Sequence, residues 1–526
     1  MKVIRSVLLF SILIFSLCIG ASAVEHHMLK VGLKFGSDAM ASANLENNTG
    51  YGSGYAFGFY RADRSFVTLG WTDHTKVTVS VDGGAASGYH LQLVESFDDF
   101  VAAASRAAAF DGGFVGYVNN AFCVRFGNYA SEADACAADA AEVEHTDVVA
   151  PSDTGVVVTD TDSGKTLFYF DDAAKTFLGI EAIGDGTTAT RTWFKGYKYY
   201  GGFEYRRTAG SNISVINVVN IEDYVKCVVP YEMSPSYQLE ALKAQAICAR
   251  TYAACQSKHK NSGFDVCTTT DCQVYYGTAN CTDFSDSAVT QTEGMYLYYD
   301  GKIVQEAVYY AYNGGASEDC KNVWGSDVPY LKGKKDPYDL SVSSTMKNYY
   351  WTLTYSTVDL SSRLTARGYD VGTVKQAYVS QFTPVGNVLE VTIVGTKNTI
   401  TLSREKCRLA LGTKSMHFDF VGGSAPTALY ADQGVQLSGT TGFYCIGDDG
   451  TITQNAGDVY VITSEGVAKA ESGTAQNSDG FTIAGSGNGH NVGMSQIGAN
   501  AMAKQGFSCE EILKFYYTGV TIGKEA

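Results

Sequence analysis

The chain has 526 residues and a formal net charge of −16, from 39 Lys and Arg against 55 Asp and Glu. This length exceeds what one hydrophobic core usually supports, so it predicts two to four domains. No basic run is present that would follow a phosphate backbone, and the composition therefore argues against nucleic acid as a partner.

The first residues have the pattern of a secretory signal peptide. Lys2 and Arg5 precede the apolar run 7–19, and the small residues Ala-Ser-Ala follow at 21–23. This order predicts a signal peptide at 1–23 with cleavage after Ala23. The alternative is an uncleaved segment that tethers the protein to a membrane. Either way we expect an extracytoplasmic protein.

Composition along the chain predicts an α+β fold of several domains, rich in β-strands. A β-rich module is expected at 24–87, because β-branched and aromatic runs alternate with turn residues. The order strand, helix, hairpin, helix predicts a small βαββα domain at 88–144, and the Asp- and Thr-rich stretch 145–164 predicts a linker. The remainder, 165–526, is predicted to form the main domain around one central helix, with a β insert at about 422–483.

The central stretch changes from a strand pattern to a helix pattern. The runs 213–219 and 224–229 are rich in Val and predict strands. Ser234 and Pro235 are typical of a helix start. Apolar residues then recur at helical spacing at Leu239, Leu242, Ala246, Ala249 and Ala253.

Glu232 is thereby predicted to lie on the turn just before this helix. A carboxylate in that place is close to free N–H donors and to the positive end of the helix dipole. From spacing alone, two interpretations remain open. Glu232 is either a capping or dipole partner of the helix, or a catalytic carboxyl group.

Several ordered blocks follow along the chain and resemble one known family. The blocks are EM with LEALKAQAICARTYA (232–253), CQVYYG (272–277), TEGMYLYYDGK (292–302), NGGASEDCKNVWGSDVPYLKGKKDPYD (313–339) and the stretch from GHNVGMSQIGA to YYTGV (489–520). Together they resemble the stage II sporulation protein D family of peptidoglycan lytic transglycosylases, from roughly Trp193 to the C-terminus. The resemblance implies an exported enzyme of the cell wall, acting on glycan strands in sporulation or wall remodelling.

The resemblance also implies a reaction and a catalyst. A lytic transglycosylase cleaves the MurNAc–GlcNAc bond without water and leaves a 1,6-anhydroMurNAc end. One carboxyl group suffices for this, whereas ordinary glycosidases use two. The family motif matches Glu232 as the general acid/base, which then needs a raised pKa that only burial can supply at a helix start.

Two other functions remain open at this stage. Relatives of the same domain are non-catalytic cell-wall binders that enhance a partner amidase, so a cell-wall amidase is a second expected partner besides glycan strands. A hydrolase that uses water would need a second carboxylate, for which Asp223 and Asp336 are the candidates.

Further family positions are candidates for substrate binding or support. Lys243 and Arg250 share one face of the predicted helix, but Arg250 lies roughly 22 Å from its start, which favours a structural salt bridge over contact with Glu232. Tyr330, Lys332 and Asp336 lie in a loop rich in Gly and Pro that either presents donors to sugar hydroxyls or is a solvated charged loop.

The block GHNVGMSQ supplies two more candidates, His490 and Gln496, as groove-lining residues. Asn491 replaces a glycine of the family motif. Because Asn tolerates a positive φ better than other side chains, we expect the backbone to be preserved there. His490 is not expected to be the catalyst.

Residues 88–144, with VRFGNYAS in particular, resemble a SPOR domain. SPOR domains bind glycan strands that have lost their stem peptides, so the resemblance implies a glycan-binding module in front of the enzyme. The alternative is a generic βαββα unit that packs on its neighbour.

No cofactor is expected to be required. Cys267 and Cys272 flank TTTD, and some family members hold a zinc ion between cysteines and a histidine near this point. Cys267, Cys272 and His259 are thus the candidate ligands of a structural zinc. Asp271 stands where relatives often have a histidine, and a disulfide or free thiols remain alternatives.

Overall fold

The protein, seen in a computed structural model, is a mixed α and β structure with more strand than helix, as the sequence predicts. No helix in the described part of the chain is long and apolar enough to cross a membrane. The predicted signal peptide and most of the predicted insert at 422–483 lie outside the described residues. Those residues are 28–47, 51–83, 88–142, 144–184, 189–208, 210–421, 480–524 and a few short strands between 427 and 469.

The chain before the central helices consists mainly of strands. They and two helices are β1 (Met28–Lys34), β2 (Ser42–Glu46), β3 (Tyr55–Tyr60), β4 (Phe66–Thr72), β5 (Lys76–Val81), β6 (Tyr89–Leu93), α1 (Phe100–Ala107), β7 (Phe114–Val118), β8 (Ala121–Tyr129), α2 (Glu132–Asp139), β9 (Thr146–Val149), β10 (Val156–Asp160), β11 (Thr166–Asp171), β12 (Leu178–Ala182), β13 (Thr192–Phe194), β14 (Tyr197–Tyr199), β15 (Gly202–Arg206) and β16 (Ser214–Asn220).

These strands form two large sheets that share one hydrophobic core. The first has the order β4-β3-β12-β15-β16-β1, and the second has the order β14-β13-β2-β5-β10-β11-β7-β8-β6-β9. Buried side chains of both sheets, for example Val31 and Val79, belong to the same cluster as the central helices. The strand β1 pairs antiparallel with β16, from Met28 opposite Asn220 onward. The N-terminal strand therefore lies directly beside the strand that leads into the site.

Strand pairing crosses the domain boundaries predicted at 87 and 165. Strands from 24–87 and from 165–526 alternate within both sheets, so the predicted module has no sheet of its own. The stretch 145–164 is not a free linker, because it contains β9 and β10. The predicted order βαββα is present from β6 to α2, but β7 also pairs in parallel with β11 and extends the second sheet.

Helices and short strands form the middle of the chain. They are α3 (Ile221–Glu232), α4 (Leu239–Cys255), β17 (Val266–Cys267), α5 (Asp283–Gln291), β18 (Met295–Tyr299), β19 (Lys302–Ile303), β20 (Tyr309–Tyr310), α6 (Cys320–Val323) and α7 (Pro337–Ser341). The helices α3, α4 and α5 pack on one another, and the strand β17 adds to the first sheet beside β1.

The last part of the chain builds a second core before it returns to the first. Its elements are β21 (Tyr350–Tyr355), α8 (Thr357–Ala366), β22 (Val374–Phe382), β23 (Val388–Gly395), β24 (Thr399–Ser403), α9 (Glu405–Leu411), β25 (His417–Val421), β26 (Thr427–Ala428), β27 (Val435–Gln436), β28 (Tyr444–Ile446), β29 (Ile452–Gln454), β30 (Tyr460–Thr463), β31 (Gly466–Lys469), β32 (Phe481–Ser486), β33 (Met494–Ser495), α10 (Gln496–Lys504), α11 (Cys509–Tyr516) and β34 (Thr521–Lys524). Elements from β21 to β25, together with β32, enclose the second core. The strands β25 and β32 are antiparallel neighbours, so Val421 and Thr482, on either side of the predicted insert, lie opposite one another.

Candidate functional site

Glu232 is the last residue of the helix α3. The sequence prediction of a strand at 224–229 is wrong, because those residues form this helix. Its Val228 and Val229 are fully buried, so packing outweighs the strand preference of β-branched residues. Pro230 is tolerated near the end of the helix. The carbonyl of Lys226, four residues earlier, contacts the Cys281 thiol at 3.4 Å instead of a backbone N–H.

The next helix begins later than predicted. The helix α4 has its N-cap at Gln238 and its first residue at Leu239, so Ser234 and Pro235 do not start it. Glu232 is therefore at the carboxyl end of one helix rather than before the amino end of the next. A helix dipole places negative partial charge at its carboxyl end, which favours the protonated carboxyl group.

The carboxyl group of Glu232 is partly buried and receives neutral hydrogen bonds. Its Oε1 accepts from the Val274 backbone N–H at 2.8 Å. Burial raises the pKa of Glu232, and hydrogen bonds from Val274 and from the Gln496 side chain oppose this rise without cancelling it. Among the described residues, no ion pair to Glu232 occurs. The environment thus favours a carboxyl group that holds a proton.

A buried polar network lies beside this carboxyl group. Tyr224 donates to Gln273 Oε1 at 3.0 Å, and Gln273 Nε2 donates to the Tyr309 hydroxyl at 3.0 Å. On the other side, Gln496 Nε2 lies 3.4 Å from Gln245 Oε1. These contacts fix the residues that surround Glu232, including the segment that carries Val274.

A chain of three tyrosines in contact begins at Tyr231, the residue before Glu232. The Tyr231 hydroxyl donates to the Tyr276 carbonyl at 3.2 Å. The ring of Tyr276 packs edge to face with Tyr231 and stacks on Tyr197, with ring centroids 5.6 and 5.2 Å apart. Tyr197 and Tyr276 are exposed. Tyr231 is thus linked through ring contacts to two exposed aromatic side chains.

The predicted salt bridge of Arg250 is confirmed. Its Nε and Nη2 donate to the two carboxylate oxygens of Glu222, each at 2.7 Å. The Arg250 side chain is fully buried and also donates to the carbonyls of Met295 and Val289. This arrangement ties α3 to α4, and it leaves Arg250 without contact to Glu232.

Lys243 likewise pairs within its own helix. Its Nζ lies 2.7 Å from Glu240 Oε1, while the other Glu240 oxygen accepts from the Cys509 backbone N–H at 2.7 Å. Through Glu240, the lysine thus helps to hold α11 against α4. This is a supporting role, one of the two that its sequence position predicted.

The loop residues predicted from the block 313–339 do not share one role. The hydroxyl of Tyr330 accepts from the backbone N–H groups of Gln305 and Glu306 at 3.2 Å each. Lys332 forms ion pairs with Asp319 and Asp327 and is partly exposed. Neither residue has a contact with Glu232 among those observed.

Asp336 is fully buried, so it is not part of a solvated loop. Its Oδ2 accepts from Asn313 at 2.7 Å and from the Tyr516 hydroxyl at 2.8 Å, and its Oδ1 accepts from the Asp339 backbone N–H at 2.9 Å. Burial, reinforced by the charge of Asp339, raises the pKa of Asp336 to about 6. This network joins α7, α11 and the loop at 313.

The block GHNVGMSQ combines structural and site residues. His490 packs against Tyr310 and Trp324, and burial lowers its pKa to about 4, so its imidazole is neutral. Asn491 has a φ of 65°, which confirms the predicted backbone. Its Nδ2 donates to the carbonyls of Asn313 and Ala316 at 2.8 and 3.1 Å, which a glycine could not do.

The proposed zinc ligands come together, with one addition. Ligand atoms of His259, Cys267, Asp271 and Cys272 all lie within 4.8 Å of one another. His259 Nε2 is 3.4 Å from Cys272 Sγ, and a hydrogen bond from the Cys272 thiol lowers the pKa of Cys267 to about 5. Two sulfurs, an imidazole and a carboxylate are a donor set that suits tetrahedral zinc. Asp271, which departs from the family pattern, lies in the fourth position and also contacts Lys258.

Comparison with known proteins now adds to this geometry. The family model described as Stage II sporulation protein matches residues 209–299. The stage II sporulation protein D of Bacillus amyloliquefaciens is 30% identical over 330 residues, covering 60% of this chain and 77% of that protein. The chain belongs to the stage II sporulation protein D family.

Two other relatives widen the comparison. The amidase enhancer of Bacillus subtilis (strain 168) is 34% identical over 57% of this chain, a match that covers 40% of the enhancer's own length. An uncharacterized protein of Brachyspira hyodysenteriae is 33% identical over 62% of this chain and 73% of its own length. The family thus includes proteins named for a sporulation stage and one named for an effect on an amidase.

For this member of the stage II sporulation protein D family, sequence analysis missed several neighbours of Glu232. Val274 acts through its backbone N–H, which a side-chain motif does not report. Gln245 and Gln273 lie in matched blocks, but their spacing alone does not show which face points to Glu232, and Tyr309 lies between two blocks. The block CQVYYG did mark the segment that carries Gln273, Val274 and Tyr276.

Proposed function

We propose that this protein is a lytic transglycosylase of peptidoglycan, with Glu232 as general acid and then general base. The observation that carries the proposal is the setting of Glu232. Its carboxyl group is buried enough to raise the pKa, receives only neutral hydrogen-bond donors among the described residues, and lies at the carboxyl end of a helix.

The reaction needs one proton donor that later becomes a proton acceptor. Protonated Glu232 gives its proton to the glycosidic oxygen as the bond from that oxygen to C1 of muramic acid breaks. The resulting carboxylate then removes the proton of the C6 hydroxyl of the same sugar. That oxygen attacks C1, which closes the 1,6-anhydro ring and restores the acid without water.

Geometry supports one carboxyl group over two. Asp223 is nine residues earlier in the same helix, about 13 Å along its axis, and its carboxylate pairs with Lys226. Retaining glycosidases need a separation of about 5 Å, and inverting ones about 6.5–9.5 Å. Asp336 is fully buried in its own network. Both candidates for a hydrolytic partner therefore have other roles.

A second candidate function is a non-catalytic wall binder that enhances an amidase. The observation that favours it is the 34% identity to the amidase enhancer of Bacillus subtilis. In that case the carboxyl group of Glu232 would serve no chemical step, and a cell-wall amidase would be the partner.

Three supporting proposals complete this picture. The signal sequence exports the protein to the cell wall, and the βαββα segment from β6 to α2 binds glycan as a SPOR-like unit. A structural zinc closes the loop after α4, held by His259, Cys267, Asp271 and Cys272. Metal analysis of the unmodified protein and of the Asp271→Ala variant tests this. A disulfide between Cys267 and Cys272 is the alternative outcome of that analysis.

Product analysis tests the main proposal. Peptide-stripped glycan strands are incubated with the protein, with Glu232→Gln and with the exposed control Glu510→Gln, and the products are identified by mass spectrometry. We expect anhydro-muramic ends from the unmodified protein and the control only. Reducing ends would indicate a hydrolase. No cleavage, combined with stimulation of a partner amidase, would support the enhancer function.

A further inference from the structure

The hairpin of β13 and β14 carries a surface that the proposed chemistry at Glu232 does not use. On one face of three neighbouring strands, Trp193 lies opposite both Glu46 of β2 and Lys198 of β14. Since residues directly opposite one another project from the same face of a sheet, these three side chains emerge together. Tyr51 and Arg191 complete the lining of a cavity of about 240 Å³.

The cavity is positive in a chain that is strongly negative overall. Two cations, Arg191 and Lys198, stand against one carboxylate, Glu46, whereas the whole chain has a net charge of −16. The ring of Tyr51 holds both cations in place. Lys198 Nζ lies 4.2 Å and the Arg191 guanidinium 5.4 Å from its centroid. Such a pair favours an anion, and Arg191, whose Nη2 donates to the Tyr200 hydroxyl at 3.1 Å, keeps its charge and further N–H groups for one.

The aromatic part of the lining favours a sugar. Trp193 is 39% exposed, so much of its indole is free. The face of an aromatic ring is negative, and it attracts the polarised C–H groups of a pyranose ring. A carboxylate and a sugar ring on one ligand would meet the two cations and the indole at the same time.

The hairpin of β13 and β14 packs against the segment whose Val274 N–H donates to Glu232. A Cβ at Gly277 would lie 2.1 Å from the Lys198 carbonyl oxygen, so the backbones touch and only glycine fits, with a φ of 64°. Gly277 is three residues after Val274, the hydrogen-bond donor to Glu232. Tyr197, on the other face of the hairpin, stacks on Tyr276. The cavity and the site thus lie on two sides of one small, fixed element.

We propose that this cavity binds a saccharide bearing a carboxylate, namely a muramic acid residue whose lactyl group is free of peptide. In a glycan strand without stem peptides every muramic acid carries such a carboxylate, and an attached peptide converts it to a neutral amide. The cavity therefore selects peptide-stripped strands and feeds them to Glu232. For the identity of its ligand, the inference rests on the proposed function.

Calorimetric titration of the Glu232→Gln chain tests this, because that chain binds glycan without cutting it. The ligands are a soluble oligosaccharide of alternating GlcNAc and MurNAc with free carboxylates, and the same oligosaccharide with each carboxylate as its methyl amide. We expect the free acid to bind about tenfold more tightly, the effect of one charge-assisted hydrogen bond.

Matched variants, made in the same chain and checked for folding by thermal unfolding, locate the effect. Lys198→Gln should remove the preference for the free acid. Lys195→Gln, which removes the same charge from the turn of the same hairpin, should retain it. Trp193→Ala should weaken both ligands equally. Equal binding of the two ligands by the parent chain, or an equal loss in both lysine variants, would overturn the inference.

These outcomes separate the inference from the proposed function. If the unmodified protein cuts no glycan but the carboxylate preference is present, the proposed function fails and the cavity assignment stands. If the protein cuts glycan and has no such preference, the cavity assignment fails and the proposed function stands.

Discussion

The two ends of the helix α3 each carry a glutamate, and the two have opposite surroundings. Glu222, in the first turn, receives two charged hydrogen bonds from buried Arg250 and one from the Gly294 N–H. Glu232, in the last turn, receives only neutral donors from the part of the chain that the structure describes, namely Val274 and Gln496. The same residue type in one helix thus forms an ion pair at one end and accepts hydrogen bonds from uncharged groups at the other. The neighbours decide the role.

The largest expected effect comes from removing the proposed proton donor, Glu232. We expect Glu232→Gln to lower the rate of glycan cleavage by about 10²–10⁴, the usual contribution of one acid or base. Its free energy of unfolding should stay close to that of the unmodified protein, because glutamine can still accept the Val274 hydrogen bond. Steady-state rates and urea denaturation measure the two quantities. A large loss of stability with the rate unchanged would reverse the assigned roles.

Glu222→Gln, in contrast, should lower the free energy of unfolding. It leaves the charge of Arg250 buried without a partner, which costs about 3–5 kcal/mol of unfolding free energy. Urea denaturation measures this. The double variant Glu222→Gln with Arg250→Met is the control, since it removes the unpaired charge and should recover part of the loss. A double variant no more stable than Glu222→Gln would show that the ion pair is not the cause.

Asp336 extends the comparison to a third buried carboxyl group. Its pKa is raised to about 6, so the folded state holds the proton more tightly than the unfolded state does. Its contribution to stability is therefore present below about pH 4 and is lost as the pH rises through about 6. The loss is on the order of 3 kcal/mol.

Unfolding free energies measured from pH 4 to pH 7 test this. Relative to Asp336→Asn, the unmodified protein should lose stability across that range. The exposed Asp98→Asn serves as the control and should keep the pH dependence of the unmodified protein. Parallel curves for the unmodified protein and Asp336→Asn would contradict the raised pKa.

A smaller effect is expected at Gln496. Its hydrogen bond to Glu232 lowers the pKa of that carboxyl group. Gln496→Ala should therefore raise this pKa by about one unit or less, and activity should persist to correspondingly higher pH. The pH profile of cleavage measures the shift, and Gln505→Ala, at the exposed C-cap of the same helix, is the control. A shift of the cleavage profile toward lower pH would contradict the hydrogen bond from Gln496 to Glu232.

Much of the framework was predictable because it depends on local pattern. The helix α4 follows from its apolar spacing, and strands such as β5 and β16 follow from their β-branched residues. The helix α3 was missed because Val225, Val228 and Val229 prefer strands in isolation, and their burial on all sides decided otherwise. This error placed Glu232 at the wrong end of a helix and reversed the expected effect of the dipole.

The site itself was predictable only in part. Glu232, Gln496 and the cysteine pair were marked by family blocks. Pairing of β1 with β16, and the approach of the hairpin to Gly277, join residues far apart in the chain, and no local pattern reports them. Asp271 was noted in the sequence only as a departure from the histidine of relatives, and its carboxylate joins the cluster because the loop brings it 3.5 Å from His259 Nε2.

The most direct test of the account is a titration of the Glu232 carboxyl group. Carbon-13 NMR of protein labelled at glutamate side-chain carboxyls, with Glu232→Gln used to assign the resonance, gives its pKa. We expect the pKa of Glu232 to lie above the ordinary value for a glutamic acid. The same raised pKa should be present in the control variant Glu510→Gln. An ordinary or lowered pKa at Glu232 would contradict its role as the proton donor.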